Sequence, residues 1–272
     1  MPTGVPRYRT WIRTPRVVVF AVLTGLGLAG TSLAVVSPWF LLFVVPTALF
    51  AYVTAILVFT WYRLAPRGGN AQDRIHELIV ERANPRARSD MLDIGCGSGA
   101  LAIKLAQAQT SATVVGVDSW GPNWQYSKAQ CERNARIEGV EAQTTFSKQS
   151  GAHLEFGDDT FDVVVSCMTF HEIRDATSAT AAVAEALRVL RPGGRFVFVD
   201  PFADPAYYPS TDDLRSVIDR AGASLTEFVA LGDALPLPFP LRHPKVLGRA
   251  MLLVGTSGAT RGGAAHRAHR VV

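Results

Sequence analysis

Residues 91–100 read MLDIGCGSGA, and this stretch decides the fold of the chain. An apolar run comes first, three glycines follow at alternate positions, and residues 101–109 then repeat apolar side chains with the period of a helix. The pattern predicts a strand, a glycine turn and a helix. Glycine is needed in such a turn because the backbone takes dihedral angles that a Cβ disfavours and because a ligand approaches the main chain closely.

A second apolar run, TVVGVD, ends at Asp118, about twenty residues after the turn. In nucleotide-binding βαβ units, a carboxylate at the tip of the neighbouring strand accepts hydrogen bonds from the ribose hydroxyls. The turn alone does not name the nucleotide, since Gly95, Gly97 and Ala100 also fit the dinucleotide fingerprint of NAD and FAD sites. These two stretches therefore predict a nucleoside site and leave the kind of cofactor open.

Four motifs in order narrow the choice: DIGCGSG at 93–99, VGVD at 115–118, FDVVVS at 161–166 and LRVLRPGGRFVFVD at 187–200. Together they resemble the class I S-adenosylmethionine-dependent methyltransferases, over about residues 70–255. The resemblance implies an α/β fold with a Rossmann-like seven-stranded sheet, whose last strand runs antiparallel between its neighbours. It also implies S-adenosyl-L-methionine as cofactor and direct attack of an O, N, S or C nucleophile on the sulfonium methyl group.

By position, the resemblance gives each part of the cofactor a partner. Asp93 and the glycine turn hold the methionine and ribose region, and Asp118 binds the ribose hydroxyls. Ser119 or Trp120 flanks the adenine ring. Many relatives bind the adenine amine with an acidic residue where this chain has Ser150, so that contact passes to Ser150, a glutamine amide or the nearby backbone. The predicted cofactor-binding residues are Asp93, Gly95, Cys96, Gly97, Gly99, Asp118, Ser119, Trp120, Ser150, Gly151, Ala152 and Cys167.

The aromatic residues that follow Asp118 allow two interpretations. Trp124 and Tyr126 either wall the substrate pocket, where their ring faces suit a sulfonium cation or an apolar substrate, or pack in the core. The sequence favours neither.

Candidate catalytic residues lie in CMTFHEI, residues 167–173. Ligands bind outside the carboxyl ends of strands in open α/β sheets, which brings this stretch to the site. His171 is the candidate general base, because an imidazole titrates near neutral pH. Glu172 either orients His171 or binds a cationic substrate. The alternative is that His171 only contacts cofactor or packs locally and that in-line positioning suffices for the transfer. Asp200, at the end of the next strand, either faces the substrate or caps a loop.

The N-terminal part of the chain has the composition of a membrane segment. Residues 17–62 contain no charged side chain, and Ser37-Pro38 divides them into two apolar pieces, each long enough to cross a hydrocarbon core of about 30 Å. Arginines flank both ends of this region but not the turn, so the positive-inside rule predicts a two-helix membrane protein with a cytoplasmic catalytic domain. The alternative is a cleaved signal peptide, but the apolar region is too long for one and divides into two pieces.

The chain divides into five predicted segments. They are a basic cytoplasmic N-terminus (1–16), a transmembrane helical hairpin (17–62), a linker (63–70), the S-adenosylmethionine-dependent methyltransferase domain (71–256) and a disordered basic tail (257–272).

We expect the methyl acceptor to be a small or lipid-soluble molecule and the membrane to be a partner. Nucleic acid is not expected, since the net charge of +4 is not arranged as a basic stripe along a helix. The three cysteines show no disulfide or metal-ligand spacing, so no metal is expected. The rival functions are an NAD(P)-dependent oxidoreductase and a non-catalytic, membrane-tethered nucleotide or cofactor-binding protein.

Overall fold

The computed structural model describes residues 4–121 and 124–258, and a single seven-stranded sheet organises them. The strand order is β3-β2-β1-β4-β5-β7-β6; β7 runs antiparallel between β5 and β6, and the other neighbours are parallel. The predicted Rossmann-like sheet, with its antiparallel last strand, is confirmed. The strands are β1 (Asp90–Ile94), β2 (Thr113–Asp118), β3 (Thr144–Lys148), β4 (Phe161–Cys167), β5 (Leu190–Asp200), β6 (Ala223–Ala230) and β7 (Met251–Ser257).

Helices cover both faces of this sheet. Because successive side chains of a strand point to opposite faces, Val163 and Val165 of β4 pack in the core beneath α3, α4 and α5, whereas Val164 packs in the core beneath α6 and α7. A sheet covered on both faces explains why its strands read as continuous apolar runs. The helices are α3 (Ala71–Ala83), α4 (Ala100–Ala108), α5 (Lys128–Ile137), α6 (Ala179–Arg188), α7 (Thr211–Arg220) and the short α8 (Leu231–Ala234).

Two apolar helices precede the sheet. α1 (Thr14–Ser32) and α2 (Val44–Leu64) pack against each other, and the hydroxyls of Thr24 and Thr54 lie 3.0 Å apart between them. Many of their large apolar side chains are exposed, and both helices are long and apolar enough to cross a membrane. The two helices predicted from the sequence are therefore present as a hairpin.

The hairpin is joined closely to the domain. Leu64, the last residue of α2, is buried in the same core as α3, and Pro66–Gly68 forms a single 3-10 turn between the two helices. At the other end of the domain, Ser257 of the predicted tail is the last residue of β7, and residues 259–272 lie outside the described part of the chain.

Candidate active site

A cavity of about 420 Å³ lies at the carboxyl ends of β1, β2 and β4. This is the edge at which ligands bind in open α/β sheets. Most of the predicted cofactor residues reach its wall, and so does Glu172; Gly99, Trp120 and Ala152 do not line it. The predicted residues on the wall are Asp93, Gly95, Cys96, Gly97, Asp118, Ser119, Ser150, Gly151 and Cys167.

The glycine turn takes the left-handed backbone that the sequence predicts. The φ angles are +76° at Gly95, +55° at Gly97 and +82° at Gly99. A Cβ on Gly95 would lie 2.6 Å from Cβ of Thr169. A Cβ on Gly99 would lie 3.3 Å from side-chain atoms of α5 and β3. Gly95 therefore keeps the cavity wall open, while Gly99, behind the wall, lets α4 pack closely against its neighbours.

Asp118 faces the glycine turn. Its Oδ2 accepts a hydrogen bond from the backbone N–H of Gly97 at 2.9 Å, and its Oδ1 accepts one from the N–H of Trp120 at 2.7 Å. Burial raises the pKa of Asp118, although these backbone donors partly offset that effect. A carboxylate offers about four acceptor positions, so Asp118 keeps capacity for ligand hydroxyls on the cavity side.

Asp93 brings a second carboxyl to the wall, and it is 1% exposed. Among the described residues, none donates a hydrogen bond to its Oδ2. Burial, with a smaller contribution from the charge of Asp118, raises the pKa of Asp93 to about 8. A buried acceptor without a partner is costly, and a cationic ligand group in the cavity would satisfy it.

His171 lies beside the cavity, in the 3-10 turn Phe170–Glu172 that follows β4. Its Nδ1 is 2.9 Å from Oδ1 of Asp200, whose other oxygen accepts hydrogen bonds from the His171 backbone N–H at 3.1 Å and from the Tyr208 hydroxyl at 2.6 Å. The ring packs edge-on against Tyr207, with centroids 5.1 Å apart. Burial acts to lower the pKa of His171, but the charge and hydrogen bond of Asp200 outweigh it, and the pKa is raised above its ordinary value.

A family model described as a methyltransferase domain matches residues 92–198. The methyltransferase GfsG of Streptomyces halstedii is 34% identical over 184 residues, which are 67% of this chain and 59% of that protein. The chain belongs to the class I S-adenosylmethionine-dependent methyltransferases.

Two further comparisons concern proteins whose names include the methyl acceptor. A demethylmenaquinone methyltransferase of Thermus thermophilus is 33% identical to this chain over 127 residues, covering 47% of this chain and 52% of that protein. A solved structure of geranyl diphosphate methyltransferase in complex with GPP and sinefungin superposes with a TM-score of 0.56 at 16% identity, over 71% of this chain and 80% of that one, which shows the fold alone. The chain thus spans between half and three fifths of the two curated relatives.

Two of the residues predicted to contact the cofactor do not point into the cavity. Trp120 has a positive φ of +42°, which turns its indole beneath the glycine turn, where Nε1 donates to the carbonyl of Gly97 at 2.9 Å. Of the two candidates beside adenine, Ser119 alone lines the cavity. The N–H of Ala152 donates to Oγ of Ser150 at 3.1 Å, so that amide closes a local turn and does not line the wall.

Glu172 lines the cavity, but its side chain pairs with a residue other than His171. Glu172 forms an ion pair with Arg13 at 2.8 Å, and the carboxylate that orients His171 is Asp200. The sequence predicts only Glu172 for this role, because Glu172 is adjacent to His171 in the chain, whereas Asp200 becomes adjacent only through the parallel pairing of β4 with β5.

Several residues on the wall are absent from the predicted set. Asp175 accepts a hydrogen bond from Oγ of Ser150 at 2.9 Å and brings a carboxylate to the cavity wall. No local pattern marks it, since it lies 25 positions after Ser150. Trp124 and Tyr126, for which the sequence allows either the pocket wall or the core, line the cavity and stack with ring centroids 5.4 Å apart. Five further additions come from the N-terminal segment and α3, namely Arg9, Trp11, Arg13, Gln72 and His76.

Proposed function

We propose that this chain is an S-adenosylmethionine-dependent methyltransferase that acts at the cytoplasmic face of a membrane on a small or lipophilic acceptor. The observation that carries the proposal is one cavity in which Asp118 faces the glycine turn and the buried Oδ2 of Asp93 lacks a partner among the described residues. A diol acceptor and a partner for a cation, on adjacent strand ends, fit the ribose and the ammonium group of a single cofactor.

The residues on the wall divide the cofactor between them. Asp118 accepts the ribose hydroxyls, and Asp93 pairs with the ammonium group, which lowers the pKa of that carboxyl on binding. Ser119, Gly151 and the pair formed by Ser150 and Asp175 line the adenine end. When bound, S-adenosyl-L-methionine supplies a methyl group on a sulfonium, which is electrophilic. The protein's remaining task is to hold the acceptor in line and to exclude water.

Direct binding separates this proposal from its rivals. With full-length protein in detergent, we expect calorimetry to detect the binding of S-adenosylhomocysteine and to give no signal with NADPH. Membranes of a strain that lacks the protein, incubated with enzyme and radiolabelled S-adenosylmethionine, are then expected to yield a labelled product. NADPH binding without S-adenosylhomocysteine binding would favour the oxidoreductase, and binding without any labelled product would favour the non-catalytic protein.

We also propose that His171 is the general base. Its Nδ1–H donates to Asp200, which leaves Nε2 as the acceptor for the proton of the attacking nucleophile. Asp200 is fully buried and held by Tyr208, so the imidazole has one fixed orientation. A raised pKa makes His171 a stronger base once it has lost its own proton.

This arrangement predicts a pH profile that depends on Asp200. The base must be neutral, so the rate of the wild type should rise as the pH rises through the pKa of His171. Asp200→Asn removes the charge that raises this pKa, so the rising limb should move to lower pH while the plateau rate falls by about tenfold or more. His171→Ala should lower the rate by about 100-fold without weakening the binding of S-adenosylhomocysteine, because the ring is not on the cofactor cavity wall. An unchanged rate in His171→Ala would leave positioning as the only catalytic effect.

The membrane placement is supported by charge and exposure. The apolar faces of α1 and α2 are uncovered by protein, and arginines precede and follow the hairpin while residues 17–62 carry none. Both ends of the hairpin join the same domain, so they lie on the same side of a bilayer. The lipophilic acceptor named for the demethylmenaquinone enzyme supports an acceptor of that class.

Fractionation tests this placement. We expect the chain to remain in the membrane pellet after alkaline carbonate extraction, and protease to digest the domain in inverted vesicles but not in right-side-out vesicles. Release by carbonate, or digestion from the outside, would contradict it.

A further inference from the structure

The segment of residues 4–13, here called the N-terminal strap, crosses the cofactor cavity. It contains no regular helix or strand, yet three of its side chains, Arg9, Trp11 and Arg13, line the cavity together with the glycine turn and Asp118. A flanking segment whose only role is to favour one membrane orientation has no need of such contacts. The strap is fastened at three places around the cavity.

The first fastening is to α5. The backbone N–H of Arg7 donates to Oδ1 of Asn134 at 2.8 Å, and the amide nitrogens of Asn134 and Gln130 donate to the carbonyl of Arg7 at 3.0 and 2.6 Å. Asn134 is fully buried and also donates to the carbonyl of Ser98 in the glycine turn at 3.0 Å. One side chain therefore ties the strap to the turn that holds the cofactor.

The second fastening is to α3. The side-chain amide of Gln72 bonds the strap at two points: Nε2 donates to the carbonyl of Arg9 at 3.1 Å, and Oε1 accepts from the N–H of Trp11 at 3.2 Å. The indole of Trp11 then packs edge-on against the buried ring of His76, with centroids 5.9 Å apart. A glutamine satisfied by two backbone groups of one segment holds that segment in a fixed register.

The third fastening lies beside the turn that follows β4. Arg13 pairs with Glu172 at 2.8 Å, and its guanidinium lies 4.2 Å from the ring centroid of Trp124. The Arg13 side chain is 15% exposed, so the pair is shielded more than an ordinary surface ion pair. Thr14, the next residue, begins α1, so no linker separates this contact from the hairpin.

We infer that the N-terminal strap is a closing element of the cofactor site, held closed by the Arg13–Glu172 ion pair, here called the latch, and by the two hydrogen bonds of Gln72. Cofactor exchange then requires the strap to open, and the position of α1 biases that opening because it begins at the residue after the latch. The inference rests on the proposed function, since it takes S-adenosylmethionine as the ligand of the cavity. Arg13 acts here as a positioning residue.

The rate at which S-adenosylhomocysteine leaves tests the latch, since no methyl transfer is involved. In full-length protein in nanodiscs, Arg13→Ala and Glu172→Ala should each speed dissociation by about fivefold, and the double variant should be no faster than either. Gln72→Ala should speed it by about tenfold, through the loss of two hydrogen bonds. Arg67→Ala removes the same charge from an exposed site beyond α2, and it should leave the rate unchanged.

Limited trypsin digestion gives a second readout, because the strap carries its own cleavage sites. S-adenosylhomocysteine should slow cleavage after Arg9 and Arg13 in the wild type and should slow it less in Gln72→Ala. Wild-type dissociation rates in both Arg13→Ala and Gln72→Ala would overturn the inference while leaving the proposed function intact. If one variant unfolds, the other decides. Failure of the wild type to bind S-adenosylhomocysteine would overturn both.

Discussion

Asp118→Ala is expected to weaken S-adenosylhomocysteine binding by about 100-fold, because it removes the proposed acceptor of two ribose hydroxyls. The carboxylate also holds the glycine turn through Gly97 and its own loop through Trp120, so the variant loses two internal hydrogen bonds as well. Asp118→Asn keeps one oxygen acceptor and should bind better than Asp118→Ala. Calorimetry on the full-length protein measures both.

Thermal unfolding without ligand separates the two causes of that loss. A lower melting temperature reports the internal bonds, and weakened binding in a variant that is still folded reports the ribose contact. Asp213→Ala, which removes an exposed carboxylate from α7, is the charge-matched control and should bind normally. Should Asp118→Ala bind within about threefold of the wild type, the ribose assignment is wrong.

Gly95→Ala should destabilise the protein by about 2–4 kcal/mol and remove cofactor binding. Part of that cost, about 1–2 kcal/mol, is the left-handed conformation at φ +76°, which a Cβ disfavours. The remainder comes from the overlap of the new Cβ with the side chain of Thr169, which must shift together with the cavity wall. Thermal or chemical unfolding measures the loss of stability, and calorimetry measures the loss of cofactor binding.

Gly193 supplies a matched control for this substitution. Its φ is also +76°, but a Cβ there would meet no atom within 4 Å among the described residues. Gly193→Ala should therefore show the conformational cost alone and bind cofactor normally. Combining Gly95→Ala with Thr169→Gly should recover part of the lost stability. Equal destabilisation by Gly95→Ala and Gly193→Ala would contradict the role given to Thr169.

The centre of the site is predictable from sequence because its chemistry and its backbone requirement fall in the same short stretches. Alternate glycines after an apolar run specify a turn with positive φ, and parallel pairing brings Asp118 of β2 beside it. The strands are recognisable in the sequence as continuous apolar runs, because both faces of the sheet are covered.

The periphery of the site is not predictable in the same way, because it depends on contacts between distant parts of the chain. Trp11 and Gln72 are 61 positions apart, and Arg13 and Glu172 are 159 apart, so no local spacing records either contact. The arginines and Trp11 have an equally good interpretation as residues that flank a membrane helix. Trp120 has a positive φ of +42° and donates to the carbonyl of Gly97, and side-chain chemistry alone specifies neither feature.

The attachment of the hairpin at both of its ends has a consequence for how the enzyme meets its acceptor. Arg13 precedes α1 without a spacer, and Leu64 ends α2 inside the domain core. With these helices in a bilayer, the domain cannot rotate freely relative to the membrane, and its cavity stays at one height and tilt above the lipid surface. For the lipophilic acceptor proposed above, encounter with a domain held in this way becomes a two-dimensional search, in which lateral diffusion within the leaflet delivers each molecule to the cavity.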